Sequence, residues 1–537
     1  MDEGIYAVRT DVKRLNKKSL ILNAFILTGA SLLLRAAGMF FRIYLSNRIG
    51  AEGMGLYQLI TSVYFLAIHL SSGGVGVAVT RMVAERPALY GKSARDVMRS
   101  ALLFSLGASL LVTAVLLISA DFIALHWLGD ARAGLPLRIL APSLPFIAAA
   151  ACFRGYLTAR DRVLRTSVAQ ILEQIIRMAV TMALIPLLVP LGLAWGCGAI
   201  VIGTTVSEAA SCLFLLAVSR LREERRKSAP RETGTLRELL YIGMPVTGRT
   251  CFRSVLSTME NAMIPKGLGK YGVSAQQSLA QYGMLKGMAL PVLFFPSSFI
   301  SSISSLLVSE LASSPRSRRT GGQDRAANEL TRQVLRYALL FSFYVAALFL
   351  FFSGEIGMAL YKEKAVGSMV RILAPLVPFM YLESIVDGML TALDQQMSVM
   401  KYNMIDAVGR LLLVMLLLPR MGMNGFLLTM YASNLFTSLM CIIRLLRVTE
   451  IRLPLGEWLG EPLLSAAIGG FGARYLAAAF LAPRLSPILL LIAECGICGV
   501  LYGVCLLLQG AVDLRKFLGL LRARLSGRRG RLAPIQR

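Results

Sequence analysis

Long apolar segments, separated by short polar loops, recur along almost the whole chain. Each has about 20 residues, enough to cross the hydrocarbon core of a bilayer as a helix that satisfies its own backbone hydrogen bonds. The pattern predicts an all-α polytopic membrane protein with fourteen transmembrane helices and little chain left for a soluble domain. The predicted spans cover residues 20–46, 57–80, 98–120, 135–158, 166–188, 193–219, 238–263, 282–308, 334–354, 369–392, 403–418, 421–443, 461–482 and 486–509.

One stretch of the chain is repeated without a gap. The sequence R-I-L-A-P that begins at Arg138 returns at Arg371, and the same offset of 233 residues maps Arg177 onto Arg410. We therefore predict two homologous lobes of six spans, related by a pseudo-two-fold axis along the membrane normal because six is even. Internal repeats of this kind are typical of alternating-access transporters. The predicted parts are an N-lobe (1–219), a basic cytoplasmic linker (220–237), a C-lobe (238–446), two extra spans (447–510) that either face lipid or hold a substrate tail, and a basic cytoplasmic tail (511–537).

Composition and charge agree with a membrane protein. Of the 537 residues 56% are hydrophobic and 16% charged, with a mean hydropathy of +0.64, which excludes an ordinary soluble protein. The net charge of +27 comes mainly from alternate loops. This positive-inside pattern predicts a multi-pass protein of the cytoplasmic membrane with both termini cytoplasmic. The basic loops would contact anionic membrane lipids, and no domain is left to bind nucleic acid.

Basic residues inside the spans are candidates for substrate binding, because a charge in the bilayer normally faces a cavity or a partner. Arg35 and Arg42 lie seven residues apart in span one, hence on one helix face, and Arg249 and Arg253 lie one turn apart in span seven. Lys286 opens span eight. Guanidinium groups suit phosphate, so this set predicts an anion site. The alternatives are snorkelling of Arg42 and Lys286 to the interface, and pairing of the span-seven arginines within the second half.

Acidic residues inside the spans divide into two kinds. Glu173 and Asp406 each precede an arginine by four residues, at matching positions of the repeat; these pairs neutralise themselves and predict structural roles. Glu260, Glu383 and Asp387 are candidates for coupling to a cation or proton. The sequence contains no P-loop, no recognisable catalytic set and no second Cys pair to complete a metal site with Cys495-x-x-Cys498, so we expect neither enzyme activity nor a metal or cofactor.

Two motifs carry a family resemblance. Residues 34–43 read L-R-A-A-G-M-F-F-R-I, followed at 49–58 by I-G-A-E-G-M-G-L-Y-Q, and residues 287–296 read G-M-A-L-P-V-L-F-F-P. Together with the span count and the repeat, they resemble the stage V sporulation protein B-like polysaccharide biosynthesis flippases of the MOP exporter superfamily. The resemblance covers about residues 20–510.

The resemblance implies a two-lobe exporter that moves an undecaprenyl-pyrophosphate-linked saccharide, such as the peptidoglycan precursor lipid II, to the outer leaflet. Arginines in a central cavity would hold the pyrophosphate. The related murein precursor flippases carry R-x-x-G-x-x-R-D in span one. Here Arg35 and Gly38 match, Arg42 comes one residue later, and Ile43 replaces the Asp. Lys286 stands where that branch has an arginine, five residues before Pro291, and keeps the charge without its bidentate geometry.

Other functions remain open at this level. A cation-coupled multidrug exporter of the same superfamily would favour acids in its first half, whereas span one has none. A membrane glycosyltransferase would need carboxylates and a metal at the membrane surface. A non-transporting scaffold for envelope assembly fits the same spans. We expect a monomer whose partners are a lipid-linked oligosaccharide, membrane lipids, and a coupling cation or proton.

Overall fold

The structure is a computed structural model that describes residues 17–84, 94–160, 162–220, 235–300, 325–451, 454, 456–481 and 486–510. Every regular element within these ranges is helical. The helices are α1 (Lys17–Ser72), α2 (Val75–Ala84), α3 (Ala94–Phe122), α4 (Gly134–Leu140), α5 (Ser143–Ala159), α6 (Val163–Leu188), α7 (Leu193–Arg220), α8 (Thr235–Lys270), α9 (Ala275–Tyr282), α10 (Leu290–Phe294), α11 (Arg325–Phe351), α12 (Ser353–Tyr361), α13 (Lys364–Leu373), α14 (Val377–Ala392), α15 (Gln396–Thr449), α16 (Glu461–Leu476) and α17 (Pro487–Leu508).

Short π and 3-10 segments extend several of these helices. A π segment joins α9 to α10, and a 3-10 turn joins α13 to α14. The segments lie at Ile123–Leu128, Ala131–Ala133, Val189–Leu191, Gly283–Ala289, Ala374–Leu376, Gly456–Gly460 and Ala477–Leu481.

The apolar helices match a polytopic membrane protein. Within the described ranges nine helices are long and apolar enough to cross a membrane, or ten if the bent pair Ala131–Leu140 and Ser143–Ala159 forms one span. The prediction of an all-α polytopic fold is confirmed.

Two of the membrane helices are much longer than one crossing requires. α1 has 56 residues and α15 has 54, so each is about 80 Å long at 1.5 Å per residue. Each contains a glycine with non-helical backbone angles, Gly50 (φ 70°) in α1 and Gly422 (φ 58°) in α15. A positive φ costs little only without a Cβ, which explains why both helices kink at glycine.

The repeated proline motif breaks a helix in both copies. α4 ends at Leu140, before Pro142, and α5 continues with a bend of 46° between the pair. In the second copy α13 gives way to the 3-10 turn Ala374–Leu376 before α14. Proline removes a backbone donor and prevents regular continuation of the helix, which accounts for both interruptions.

The chain divides into two compact units. One comprises Met1–Pro291 and Met404–Met430, and the other Val292–Asn403 and Tyr431–Arg537. In the first, buried side chains of α2, α3, α5 and α7 form a core, with Phe153 and Leu215 among them. In the second, α11, α16 and α17 pack around Leu340 and Tyr502, and the Tyr502 hydroxyl donates to the Leu340 carbonyl at 2.7 Å.

Several predicted segments lie outside the described residues. They include most of the linker 220–237, the tail 511–537, the end of span eight and several of the basic loops. The predicted lobe boundaries stay predictions.

Candidate functional site

A buried carboxylate holds two cationic side chains in the first unit. Glu260 on α8 is only 5% exposed. Its Oε1 lies 3.3 Å from Lys286 Nζ, in the π segment after α9, and its Oε2 lies 3.2 Å from Arg410 Nε on α15. Arg410 also approaches Asp406, one turn earlier, at 3.9 Å. These four residues, the Glu260 cluster, join three separate helical segments by ion pairs.

The Glu260 cluster changes how two predicted site residues are understood. Lys286 was expected to bind substrate and Glu260 a coupling ion, but here the Glu260 carboxylate forms ion pairs with both Lys286 and Arg410. Arg410 lies nearer to Glu260 than to Asp406, its predicted partner at i−4. Glu260 and Arg410 are far apart in the sequence, so neither periodicity nor spacing could have indicated this contact. The predicted roles of Glu260 and Lys286 stay predictions.

A second set of ion pairs joins α5, α6 and α7. Arg177 Nη2 lies 2.6 Å from Glu173 Oε1 and 3.5 Å from Glu208 Oε1, and Arg154 Nη1 lies 3.6 Å from Glu173 Oε2. We call these four residues the Glu208 cluster. Gly203 on α7 permits the contact, because a Cβ there would lie 2.1 Å from Thr181 Oγ1 on α6. The predicted pair Glu173–Arg177 is confirmed. The ion pair of Arg177 with Glu208 was not predicted.

The predicted arginines of spans one and seven also lie in the first unit, on α1 and α8. Arg35, Arg249 and Arg253 are exposed, and Arg42 is half-buried. Within the described part of the chain, Arg42, Arg249 and Arg253 form no hydrogen bond or ion pair. Among the described residues, these three guanidinium groups therefore have no carboxylate partner.

The remaining predicted acids lie in the second unit. Glu383 and Asp387 are half-buried on α14. Cys441 on α15, in the same unit, is a buried free cysteine. Among the described residues, no group of three His, Cys, Asp or Glu side chains is arranged to hold a metal.

The glycine-rich motif after Gly50 forms a close contact that the sequence did not reveal. A Cβ on Gly283 would lie 2.0 Å from the Ala51 carbonyl oxygen, and a Cβ on Gly55 would lie 2.2 Å from the Leu279 carbonyl oxygen. The backbones of α1 and of the α9 region therefore touch. Gln276 Nε2 donates to Glu52 Oε2 across this contact at 3.0 Å. We call these six residues (Ala51, Glu52, Gly55, Gln276, Leu279 and Gly283) the Glu52 seam.

Two further polar contacts lie beside the Glu52 seam. Arg132 Nη1, in the 3-10 turn before α4, lies 2.7 Å from Glu52 Oε1, and Lys266 Nζ on α8 donates to the His126 carbonyl at 2.8 Å. By the predicted topology these residues are at the outer ends of their helices. These contacts join α1 near Gly50 and the segment between α3 and α4 to the end of α8 and the start of α9.

The long apolar helices define a multi-pass membrane protein, and solved structures share its fold. The fold matches the lipid II flippase MurJ in an inward closed conformation, with a TM-score of 0.67 and 16% identity over 90% of this chain and 98% of that one. It also matches an inward-facing multidrug resistance MATE family transporter of the MOP superfamily, with a TM-score of 0.58 and 15% identity over 78% of this chain and 96% of that one.

Sequence comparison gives the family. The model for the polysaccharide biosynthesis protein family matches residues 20–308, and the chain belongs to that family. It is 24% identical over 451 residues to stage V sporulation protein B of Bacillus subtilis (strain 168). The aligned region covers 82% of this chain and 86% of that protein. The predicted resemblance is confirmed. The two solved proteins that share the fold are a flippase and a transporter.

Proposed function

We propose that the protein flips an undecaprenyl-pyrophosphate-linked saccharide, a lipid II-like cell-wall precursor, across the cytoplasmic membrane by alternating access. The observation that carries this proposal is the set of arginines on α1 and α8 that have no carboxylate partner among the described residues: Arg42, Arg249 and Arg253. A pyrophosphate supplies the negative charge and the acceptor oxygens that these donors lack. A lipophilic cation, the cargo of a multidrug exporter, would be repelled by the same groups.

The position of Arg253 supports a cavity rather than snorkelling. Arg253 lies ten residues from the nearer end of the predicted span 238–263, about 15 Å at 1.5 Å per residue. This exceeds the reach of an arginine side chain to the interface. An exposed guanidinium at this depth is costly in lipid, so we assign it to a water-filled path, together with Arg249 one turn away. Arg35 and Arg42 on α1 complete the proposed binding set.

The finer architecture is part of this proposal. We infer fourteen spans, because the kinks at Gly50 and Gly422 divide α1 and α15 into segments that can each cross the membrane. Twelve of the spans form two six-helix lobes, the last two are additional, and both termini are cytoplasmic. Glu383 and Asp387 are proposed for ion coupling. The protein acts as a monomer in the cytoplasmic membrane, in peptidoglycan synthesis during growth or sporulation.

We expect Arg253→Ala and Arg35→Ala to reduce binding of the lipid-linked substrate by about ten- to hundredfold, since a hydrogen bond to a charged group contributes roughly 1.5–3 kcal/mol. The measurement is flipping of lipid II in proteoliposomes, with expression and thermal stability unchanged. Arg48→Ala is the matched control, because Arg48 also lies on α1 but is exposed beside the Tyr44 ring, at 5.5 Å, near the Gly50 kink.

Mass spectrometry of lipids that co-purify with the protein identifies the saccharide. Flipping that is equal in Arg253→Ala, Arg35→Ala and Arg48→Ala would contradict the binding role of the arginines. Export of lipophilic cations without lipid flipping would instead support the multidrug alternative. Absence of both activities in the wild-type protein would support a scaffold.

A further inference from the structure

Two carboxyl groups share one guanidinium inside the first unit. Glu173 on α6 and Glu208 on α7 both approach Arg177 Nη2, at 2.6 and 3.5 Å. Their side chains are only 14% and 10% exposed. Arg177 therefore binds Glu173 closely and Glu208 weakly, so Glu208 is the less compensated of two buried carboxyls.

The hydrogen bonding of the pair is incomplete. Glu173 Oε2 and Glu208 Oε2 are buried, and neither has a hydrogen-bond partner in the described part of the chain. The two carboxyl groups nevertheless both accept hydrogen bonds from the same nitrogen, Arg177 Nη2. Two ionised carboxylates are both acceptors and cannot bond, whereas a carboxylic acid donates to a carboxylate. One added proton would thus satisfy both groups, and buried polar atoms are normally satisfied.

The surroundings select a proton rather than a metal cation. Two guanidinium groups face the pair, Arg177 from α6 and Arg154 from α5, and they repel a metal ion that needs several oxygen ligands. The other polar or titratable groups nearby are Ser207, whose hydroxyl accepts from Arg177, and Tyr64 and Cys212, which lie within electrostatic range. Tyr64 on α1 is bonded to Ser143 at 2.7 Å.

We propose that the Glu173–Glu208 pair is a proton-binding site that couples proton movement to flipping, with Glu208 as the proton carrier. The coupling part rests on the proposed function. With the proton released, Arg177 bridges both carboxylates and ties α6 to α7. With the proton bound, Glu208 donates a hydrogen bond to Glu173. Arg177 then remains paired with Glu173 only, and the electrostatic attraction between α7 and Arg177 is lost. The proton enters from water on one side of the membrane and returns to water on the other.

The site belongs to one half of the repeat only. The 233-residue offset maps Glu173 and Arg177 onto Asp406 and Arg410, but it maps Glu208 onto Cys441. In the second copy, Arg410 forms an ion pair with Glu260, and Glu260 forms a second ion pair with Lys286. A carboxyl pair that can share a proton is thus present at the first copy and replaced by a fully paired acid at the second.

The first experiment needs no substrate. Infrared difference spectra of the purified full-length protein, recorded between acidic and alkaline buffer, will contain a carboxylic acid C=O band that Glu208→Gln removes. Glu494→Gln is the matched control. Glu494 is another buried glutamate, on α17, that is 7% exposed, and its Oε2 has no hydrogen-bond partner among the described residues. Retention of the band in Glu208→Gln and in Glu173→Gln would overturn the assignment of the site.

The second experiment tests coupling in proteoliposomes that contain lipid II. Flipping by the wild-type protein will change with an imposed pH gradient by up to about tenfold per pH unit, the limit for one coupled proton. Glu208→Gln will flip without this response, and Glu208→Asp will retain it. A response in Glu208→Gln equal to the wild type would refute coupling. If the wild-type protein does not flip lipid II, the proposed function fails, while the infrared band still tests the proton site.

Discussion

Replacing Glu260 by glutamine will lower the free energy of unfolding by about 3–5 kcal/mol, the usual cost of removing one partner from a buried ion pair. The reason is that Lys286, 3.3 Å from Glu260, would lose its carboxylate partner, and Arg410 would keep only Asp406, at 3.9 Å. The thermal unfolding temperature of the protein in detergent measures the effect. We also expect a lower yield of folded protein from membranes.

Two comparisons make this prediction specific. Glu355→Gln removes one partner of an ion pair with Arg474, but those side chains are 36% and 54% exposed, so its effect should stay below about 1 kcal/mol. The quadruple variant Glu260→Gln, Asp406→Asn, Lys286→Met, Arg410→Met should recover most of the stability, because it leaves no charged member of the Glu260 cluster without a partner and apolar residues can replace a buried ionic group without loss. Equal unfolding temperatures for Glu260→Gln and Glu355→Gln would show that the Glu260 cluster does not hold the helices together.

Replacing Gly283 by alanine will prevent closure of the Glu52 seam and reduce flipping by more than about tenfold. A Cβ at this position would lie 2.0 Å from the Ala51 carbonyl oxygen, a distance at which overlap forces the backbones apart; overpacking of this kind typically costs about 1–3 kcal/mol. The equilibrium would shift towards a state in which the predicted outer ends of α1 and α9 are separated. Gly55→Ala, 2.2 Å from the Leu279 carbonyl oxygen, should act in the same way.

The opening can be measured directly. A cysteine placed at Gln276 should react faster with a membrane-impermeant thiol reagent in the Gly283→Ala background than in the unmodified background. Gly107→Ala is the control, because a Cβ at Gly107 meets no atom within 4 Å and the residue is exposed on α3. Unchanged labelling together with unchanged flipping in Gly283→Ala would mean that the seam is static.

The sequence predicted the helices well because their signals are local or repeated. Apolar length identifies spans without any knowledge of contacts, and the R-I-L-A-P motif at Arg138 and Arg371 identifies the repeat. The ion pairs of Arg177 with Glu173 and of Arg410 with Asp406 follow from the helical repeat of 3.6 residues. These features depend on residues within about one turn of each other, which a single sequence displays.

The partners across helices could not be predicted in the same way. Whether Arg410 contacts Asp406 or Glu260 depends on how α8 and α15 pack, and Glu208 acquires significance only because Gly203 lets α7 approach α6. The Glu52 seam had a visible signal, three glycines within six residues at 50–55, but its partner at Gly283 could not be read from spacing. Contacts between residues that are distant in the sequence were therefore predicted only in part.

The pairing of charges has an electrical consequence. The Glu260 cluster and the Glu208 cluster each contain two acids and two bases, so with all groups ionised they carry no net charge. Arg42, Arg249 and Arg253 remain uncompensated within the described residues, and each full charge that crosses a potential of 100 mV involves about 2.3 kcal/mol. If these arginines move with the proposed binding site, a negative interior draws the empty site towards the cytoplasm. The bound pyrophosphate of the proposed substrate would cancel that force and make the outward step nearly independent of voltage.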